Sequence, residues 1–329
     1  MKKIIEKIES RKIFGRVMRI IPLSGGIVNQ TFEVVATRGH IVLQKVKTGL
    51  GGISIADYIR LQEHLEKHGY KIPRLIDHWE DADGSWKVTS YMDSSRSPSI
   101  MCGRYGKAAA GYLSGIHEAL ASFDCELESS IPGFHDSVAI FEKLRNLMEN
   151  GSLDEVFETA ASVFEAQSGL SMPYWPKQFI HGDPKFGNFL FSDSRYDCDV
   201  LDDEDDDDLV VSLIDWDTLM KGNIMIDIGD MARSFCRKGN GDFDQERLKE
   251  MSSRYFANTG EVFTEISVLE ATKLVTLELA ARFLIDWFED SYFGWDAAKF
   301  GSRKESNLAS AQKYLAYFKT MPESMLDGW

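Results

Sequence analysis

The chain has 329 residues, of which 43% are hydrophobic and 27% charged, so it can bury a substantial core and is not disordered as a whole. That length suits one two-lobed enzyme or two domains sharing a cleft. The formal net charge of -15 argues against a nucleic-acid partner, because neutralising phosphates along a strand needs a basic face.

The opening MKKIIEKIES places Ile4, Ile5 and Ile8 at helical spacing between charges, so residues 1–12 read as an amphipathic helix and not as a signal peptide. No window approaches the roughly 18 consecutive apolar residues of a membrane span, and a cytoplasmic protein with no membrane partner is expected. Cys102, Cys125, Cys198 and Cys236 form no C-x-x-C pair and read as reduced, packed thiols. From Arg16 to Val46 the pattern changes to short β-rich runs, VMRIIPL, TFEVVAT and HIVLQKV, with a hairpin turn at Arg38-Gly39. Helical periodicity follows over Ile55 to His68 and stops at Gly69. IPRLIDHWED and SWKVTSYMD give two further strands around Ala82-Asp83-Gly84. Beyond these the pattern is mostly helical: Gly106 to Phe123, Ala139 to Met148, Leu153 to Gln167, and from Ile228 onward, notably Leu269 to Phe288 and Leu308 to Lys319. QFIHGDPKFGNFLF interrupts as a loop and a strand, and VVSLIDWD is another strand. The acidic run 202–208 between these strands reads as a solvated extension of their hairpin.

The interrupting segments carry the chemistry. His181-Gly182-Asp183-Pro184-Lys185-Phe186-Gly187-Asn188 is followed by Ile214-Asp215-Trp216-Asp217. Phosphoryl transfer from ATP needs a carboxylate to orient and deprotonate the attacking hydroxyl, oxygen ligands for Mg²⁺, and a cation for charge developing on the phosphoryl group. Asp183 can be the first, Asn188 and Asp215 the metal ligands, and Lys185 the cation. The order and spacing match the protein-kinase arrangement of a base Asp, an Asn five residues later and a downstream metal Asp. His181 reads as a residue that shapes the loop by hydrogen-bonding backbone.

HGDPKFGN with IDWD resembles the aminoglycoside phosphotransferase and choline kinase superfamily. GGIVNQTFEV, the IDWDT string, DIGDMARS, ELAARFLIDWFEDSYF and NLASAQ are similar to its N-acetylhexosamine 1-kinase branch. The resemblance implies a protein-kinase-like α+β fold. Residues 1–92 would be an ATP-binding lobe with a small antiparallel sheet, and 93–329 a helical lobe with the catalytic loop and acceptor site. It implies ATP and Mg²⁺ as cofactors and a small-molecule hydroxyl acceptor, an amino sugar phosphorylated at its anomeric hydroxyl. By this resemblance Asp183 is the base, Asn188 and Asp215 bind Mg²⁺, Lys185 lies near the transferred phosphoryl group, Asp217 is a second acid of the metal strand, and Asp227 and Asp230 brace the active-site loops.

Nucleotide contacts are then expected at Ser24, Gly25, Gly26 and Asn29, where glycines let backbone amides approach phosphates, and at the linker residues Tyr91 and Met92. Strand alternation lets only one of Gln44 and Lys45 face the cleft. Lys45 is kept as a phosphate ligand, with Glu63 as its possible helix partner, although the branch places Gln here. The branch often has Arg where this chain has Ser310. Glu278, Arg282 and Asp286 share one helix face, either as a salt-bridge ladder or with Arg282 and Asp286 facing the acceptor. The rings of Trp287, Phe288, Tyr292, Phe293 and Trp295 follow, and can be core or a sugar-stacking surface. Choline-, homoserine- or aminoglycoside-type kinases, a metal-dependent hydrolase and a non-catalytic nucleotide-binding protein are the alternatives.

Overall fold

The β-rich runs of the first part pair into one antiparallel sheet. In the computed structural model, which describes residues 2–23, 29–46, 52–93, 95–96, 103–149, 154–174, 176–192, 209–257 and 265–323, helix α1 (Lys2–Ser10) precedes strands β1 (Val17–Leu23), β2 (Gln30–Ala36) and β3 (Gly39–Val46). Helix α2 (Ile55–Lys67) and strands β4 (Leu75–Asp81) and β5 (Gly84–Ser90) follow, and the sheet runs in the order β1-β2-β3-β5-β4. The hairpin turns at Arg38, where Ala36 faces Gly39. One face of the sheet packs Phe32, Val34, Ile41, Leu43, Trp86 and Val88 against Ile8 of α1. The other face looks toward α2. Ser54 caps α2 by accepting a hydrogen bond from Asp57 N at 3.0 Å, and Gly69, at φ +87°, follows its end.

The rest is a helical lobe carrying short hairpins. It contains β6 (Ser95–Arg96), α3 (Gly103–Ala121), α4 (Ser137–Glu149), α5 (Asp154–Gln167), β7 (Lys177–Ile180), β8 (Phe189–Ser192), β9 (Val210–Leu213), β10 (Met220–Asn223), α6 (Ile224–Phe235), α7 (Gln245–Phe256), α8 (Glu265–Glu289) and α9 (Arg303–Phe318). Strand β8 lies between β6 and β9, and β7 pairs with β10. Helix α8 is buried along most of its length because it is sheathed by α4, α5, α6 and α9. Its first half joins the core that holds Phe179, Phe189 and Trp216, and its second half builds a separate core with Phe141, Leu144, Val156 and Leu315. Helix α6 approaches α8 at Gly229, where a Cβ would stand 2.8 Å from the Ala271 backbone. A side chain there would push apart the two helices that hold the site's floor.

The element types expected from sequence are present, with shifted ends. Helix α6 begins at Ile224 and not Ile228, because Asn223 caps it by accepting from Met225 N at 2.9 Å. Helix α9 begins at Arg303, capped by Ser302. The acidic run 202–208 lies outside the described residues, as do Cys102 and Cys198. Cys125 and Cys236 are free thiols, and among the described residues no helix is long and apolar enough to cross a membrane.

Candidate active site

Strand β7 ends at Ile180 and delivers the chain into the loop His181–Lys185, which a 3-10 turn (Phe186–Asn188) returns to β8. Gly182 makes the bend possible: its φ is +87°, and a Cβ would meet Thr218 O at 2.5 Å. Asp227, 0% exposed at the start of α6, braces the loop from below. It accepts from His181 N and Gly182 N, each at 2.8 Å, and pairs with His117 Nε2 at 2.9 Å. Burial would raise the Asp227 carboxyl, but His117 and the loop amides outweigh it and hold the group below its ordinary value. Asp227 therefore stays ionised. His181 Nδ1 accepts from Asp183 N at 3.1 Å, so Nε2 carries the proton and donates to Ile214 O at 3.0 Å. Burial lowers its pKa and keeps that neutral tautomer, and the ring packs on Trp216. His181 thus ties its own loop to the segment between β9 and Asp215.

The tip carries Asp183, ion-paired with Lys185. Asn188 Nδ2 donates to Asp183 O at 2.8 Å, which leaves its Oδ1 as the oxygen for a cation, and Asn188 O accepts from Ile214 N at 2.9 Å. Asp215, just past β9, sits in the left-handed region at φ 69°, ψ 53°. A non-glycine residue there is strained by roughly 1 kcal/mol or more, a cost typical of functional turns. Burial alone would raise the Asp183 carboxyl, yet the charge and hydrogen bond of Lys185 overcome it and hold the group low. Lys185 is held high, since the carboxylates of Asp183 and Asp215 outweigh its burial. Desolvation by the surrounding protein and then the neighbouring Asp217 push the Asp215 carboxyl up, with Lys185 only partly offsetting them, although the residue itself is open to solvent. A carboxylate at the mouth of the site that is short of positive charge is where a divalent cation fits. Among the described residues no three His, Cys, Asp or Glu side chains are arranged to hold a metal by themselves. Mg²⁺ characteristically uses one or two carboxylates and takes its remaining ligands from phosphates and water, so Asn188 and Asp215 suit it.

The other expected residues are distributed as follows. Asp217, two residues past Asp215, pairs with Lys87 of β5. Lys45 is not brought to the cluster. It lies opposite Trp86, with Nζ 5.7 Å over that ring, on the sheet face covered by α1. Glu63 is exposed. Asn29 precedes β2 and is half-buried, whereas Ser24, Gly25 and Gly26 lie outside the described residues. Tyr91 stacks on His40 with ring centroids 3.7 Å apart, and Met92 O accepts from Ser95 Oγ at 2.6 Å, beyond the last strand of the sheet. Asp230 pairs with Arg233 through Oδ1 at 2.6 Å, while its buried Oδ2 has no hydrogen-bond partner. Burial and Asp183 push Asp230 up, only partly countered by Arg233.

Glu278, Arg282 and Asp286 do not form a ladder. Glu278 Oε1 lies 2.8 Å from His135 Nδ1, and Arg282 lies 4.5 Å over the Phe134 ring and donates to Tyr292 OH at 3.0 Å. Asp286 accepts from Ser291, Tyr292 and Phe293 amides and from Asn307 Nδ2, so it fastens the end of α8. Sequence reasoning passed over Lys87, whose only signal is a lone basic residue inside SWKVTS. It also passed over His135, whose Nε2 lies 2.6 Å from Gly182 O and joins α8 to the catalytic loop.

Residues 19–257 match the APH phosphotransferase enzyme family. Among solved structures, the chain is similar to a choline kinase from Streptococcus pneumoniae, with a TM-score of 0.59, 19% identity, and 96% of this chain and 98% of that one covered. It is similar to an aminoglycoside 2'-phosphotransferase-IIIa solved with GDP, with a TM-score of 0.64, 12% identity, and 96% and 98% covered. A microcompartment-associated aminopropanol kinase aligns with a TM-score of 0.60, 12% identity, and 92% and 91% covered. At these identities the likeness establishes the kinase-like fold and leaves the acceptor open.

Proposed function

Since this chain belongs to the APH phosphotransferase enzyme family, we propose that it moves the γ-phosphoryl group of ATP to the anomeric hydroxyl of an N-acetylhexosamine. The observation that carries the phosphoryl-transfer reading is the convergence of Asp183, Lys185, Asn188 and Asp215 on one braced loop pair. ADP, AMP and GDP accompany several proteins of this fold, which supports a nucleotide donor.

In this reading Asp183, kept ionised by Lys185, orients the acceptor hydroxyl and takes its proton late, when the loose transition state has formed. The Lys185 ammonium then serves the transferred oxygens. Asn188 and Asp215 would hold Mg²⁺, which supplies charge neutralisation on the phosphates. His181 and Asp227 touch no reacting atom; they position the loop.

The acceptor assignment rests on the resemblance of ELAARFLIDWFEDSYF and on the unpartnered Asp230 Oδ2 beside Asp183. A buried acceptor oxygen calls for a donor on the substrate. A sugar hydroxyl or acetamido N–H supplies one, whereas the quaternary ammonium of choline does not. The same oxygen favours a second reading, an amino alcohol whose ammonium pairs with Asp230, as the aminopropanol kinase of this fold illustrates. A phosphorylation screen with ATP·Mg²⁺ separates them. N-acetylglucosamine and N-acetylgalactosamine are expected to turn over, and methyl glycosides, whose anomeric oxygen is blocked, are not. Turnover of amino alcohols alone would overturn the sugar reading and leave the kinase reading standing.

A further inference from the structure

The kinase scheme pairs the nucleotide phosphates with a lysine on strand β3, braced by a helix glutamate. Here both parts are displaced. Lys45, the lysine β3 offers near its end, lies over Trp86 on the α1 face. Glu63 of α2 is exposed, and α2 presents Tyr58 to the cleft side instead. Gln44 occupies the alternate face of β3, and its cross-strand partner is Lys87 of β5. Directly opposed residues of an antiparallel pair share a face. Lys87 therefore projects from the same side and position as a β3 residue at Gln44 would, one strand over.

Its surroundings fit a phosphate ligand. The Lys87 side chain is 9% exposed, its Nζ lies 5.2 Å from the centroid of the Tyr58 ring, and it pairs with Asp217, two residues past Asp215. The pair thus joins the sheet lobe to the metal strand. A largely buried ion pair seldom repays its desolvation in stability. This one holds a cation on the Gln44 face of the sheet, beside the segment that carries Asp215.

We propose that Lys87, on β5, is the nucleotide-phosphate ligand of this enzyme in place of a β3 lysine. Asp217 is the counter-ion that phosphates displace when nucleotide binds. This deepens the kinase reading and is independent of which acceptor is used.

Calorimetric titration of the full chain with ADP·Mg²⁺ and with adenosine tests it without any acceptor. Lys87→Met keeps the aliphatic stem and is expected to weaken ADP·Mg²⁺ by about tenfold or more, since a charge-assisted contact is lost, while adenosine binding holds. Adding Gln44→Lys to that variant restores the cation from β3, and part of the lost ADP affinity is expected to return. Asp217→Asn frees Lys87 and leaves the sheet intact, so Mg²⁺-free ADP is expected to bind at least as tightly as to the wild type. Unchanged ADP affinity in Lys87→Met, or equal loss of ADP and adenosine, would overturn the proposal. So would weakened Mg²⁺-free ADP in Asp217→Asn, which remains decisive if Lys87→Met does not fold. A wild type that binds no ADP would instead remove the nucleotide-dependent reading itself.

Discussion

The two sides of the cleft are built on different principles. On the helical side, the residues that converge lie within eight positions of one another, His181 to Asn188, or just past β9, Asp215. Their geometry is enforced by buried contacts: Asp227 beneath the loop amides, His181 across to Ile214, Asn188 back to Asp183. On the sheet side, Lys87 reaches Asp217 from β5, and its position depends on the pairing of Gln44 with Lys87. Local motifs can be read from a sequence, whereas a register is fixed only when strands meet.

The first way to break this contrast is at the metal strand. Asp215→Ala is expected to lower Mg²⁺-dependent kcat by about 10³, the scale of a lost electrostatic stabiliser in a water-poor site. Wild-type-like turnover would take Asp215 out of the site. The bracing is tested next. Asp227→Asn puts an amide where two backbone N–H groups and His117 need an anion, and about 3 kcal/mol or more of stability is expected to go. Chemical denaturation measures it. An unchanged midpoint would show that the loop holds itself.

The smallest expected effect concerns His135, which joins α8 to Gly182 O. Burial lowers its pKa, but Glu278 outweighs burial, with Arg282 opposing and Asp230 assisting, and the net shift is upward from 6.5. Protonated His135 favours the folded chain. Its contribution is whole below about pH 6.5 and is lost as pH rises through the folded-state pKa. Wild-type Tm is therefore expected to fall across that range more steeply than the Tm of His135→Gln. Parallel profiles would remove His135 from this role.

The same contrast explains what the sequence disclosed. HGDPKFGN and IDWD stand out in the sequence because the chemistry proposed for them needs neighbours in sequence. The alternating runs before Ser90 announce a sheet, since one face must bury Val34, Ile41 and Leu43. Lys87 was hidden because a lysine in a strand is ordinarily a solvated residue. Asp286 was drawn toward the acceptor by its place on a helix face with Arg282, but three backbone amides past the end of α8 claim it. Helix α7 did not stand out, because QERLKEMSSRYF is mostly polar and buries only Leu248, Met251, Ser252 and Tyr255.

The claim on which the rest depends is that Asp183 handles the acceptor's proton. Asp183→Asn keeps size and one acceptor oxygen while removing charge and basicity. Steady-state kinetics of this variant, with ATP affinity measured separately, are expected to show kcat reduced by about 10² or more and ATP binding little changed. Near-normal kcat would contradict the assignment, and an equal loss of ATP binding would place Asp183 on the metal instead.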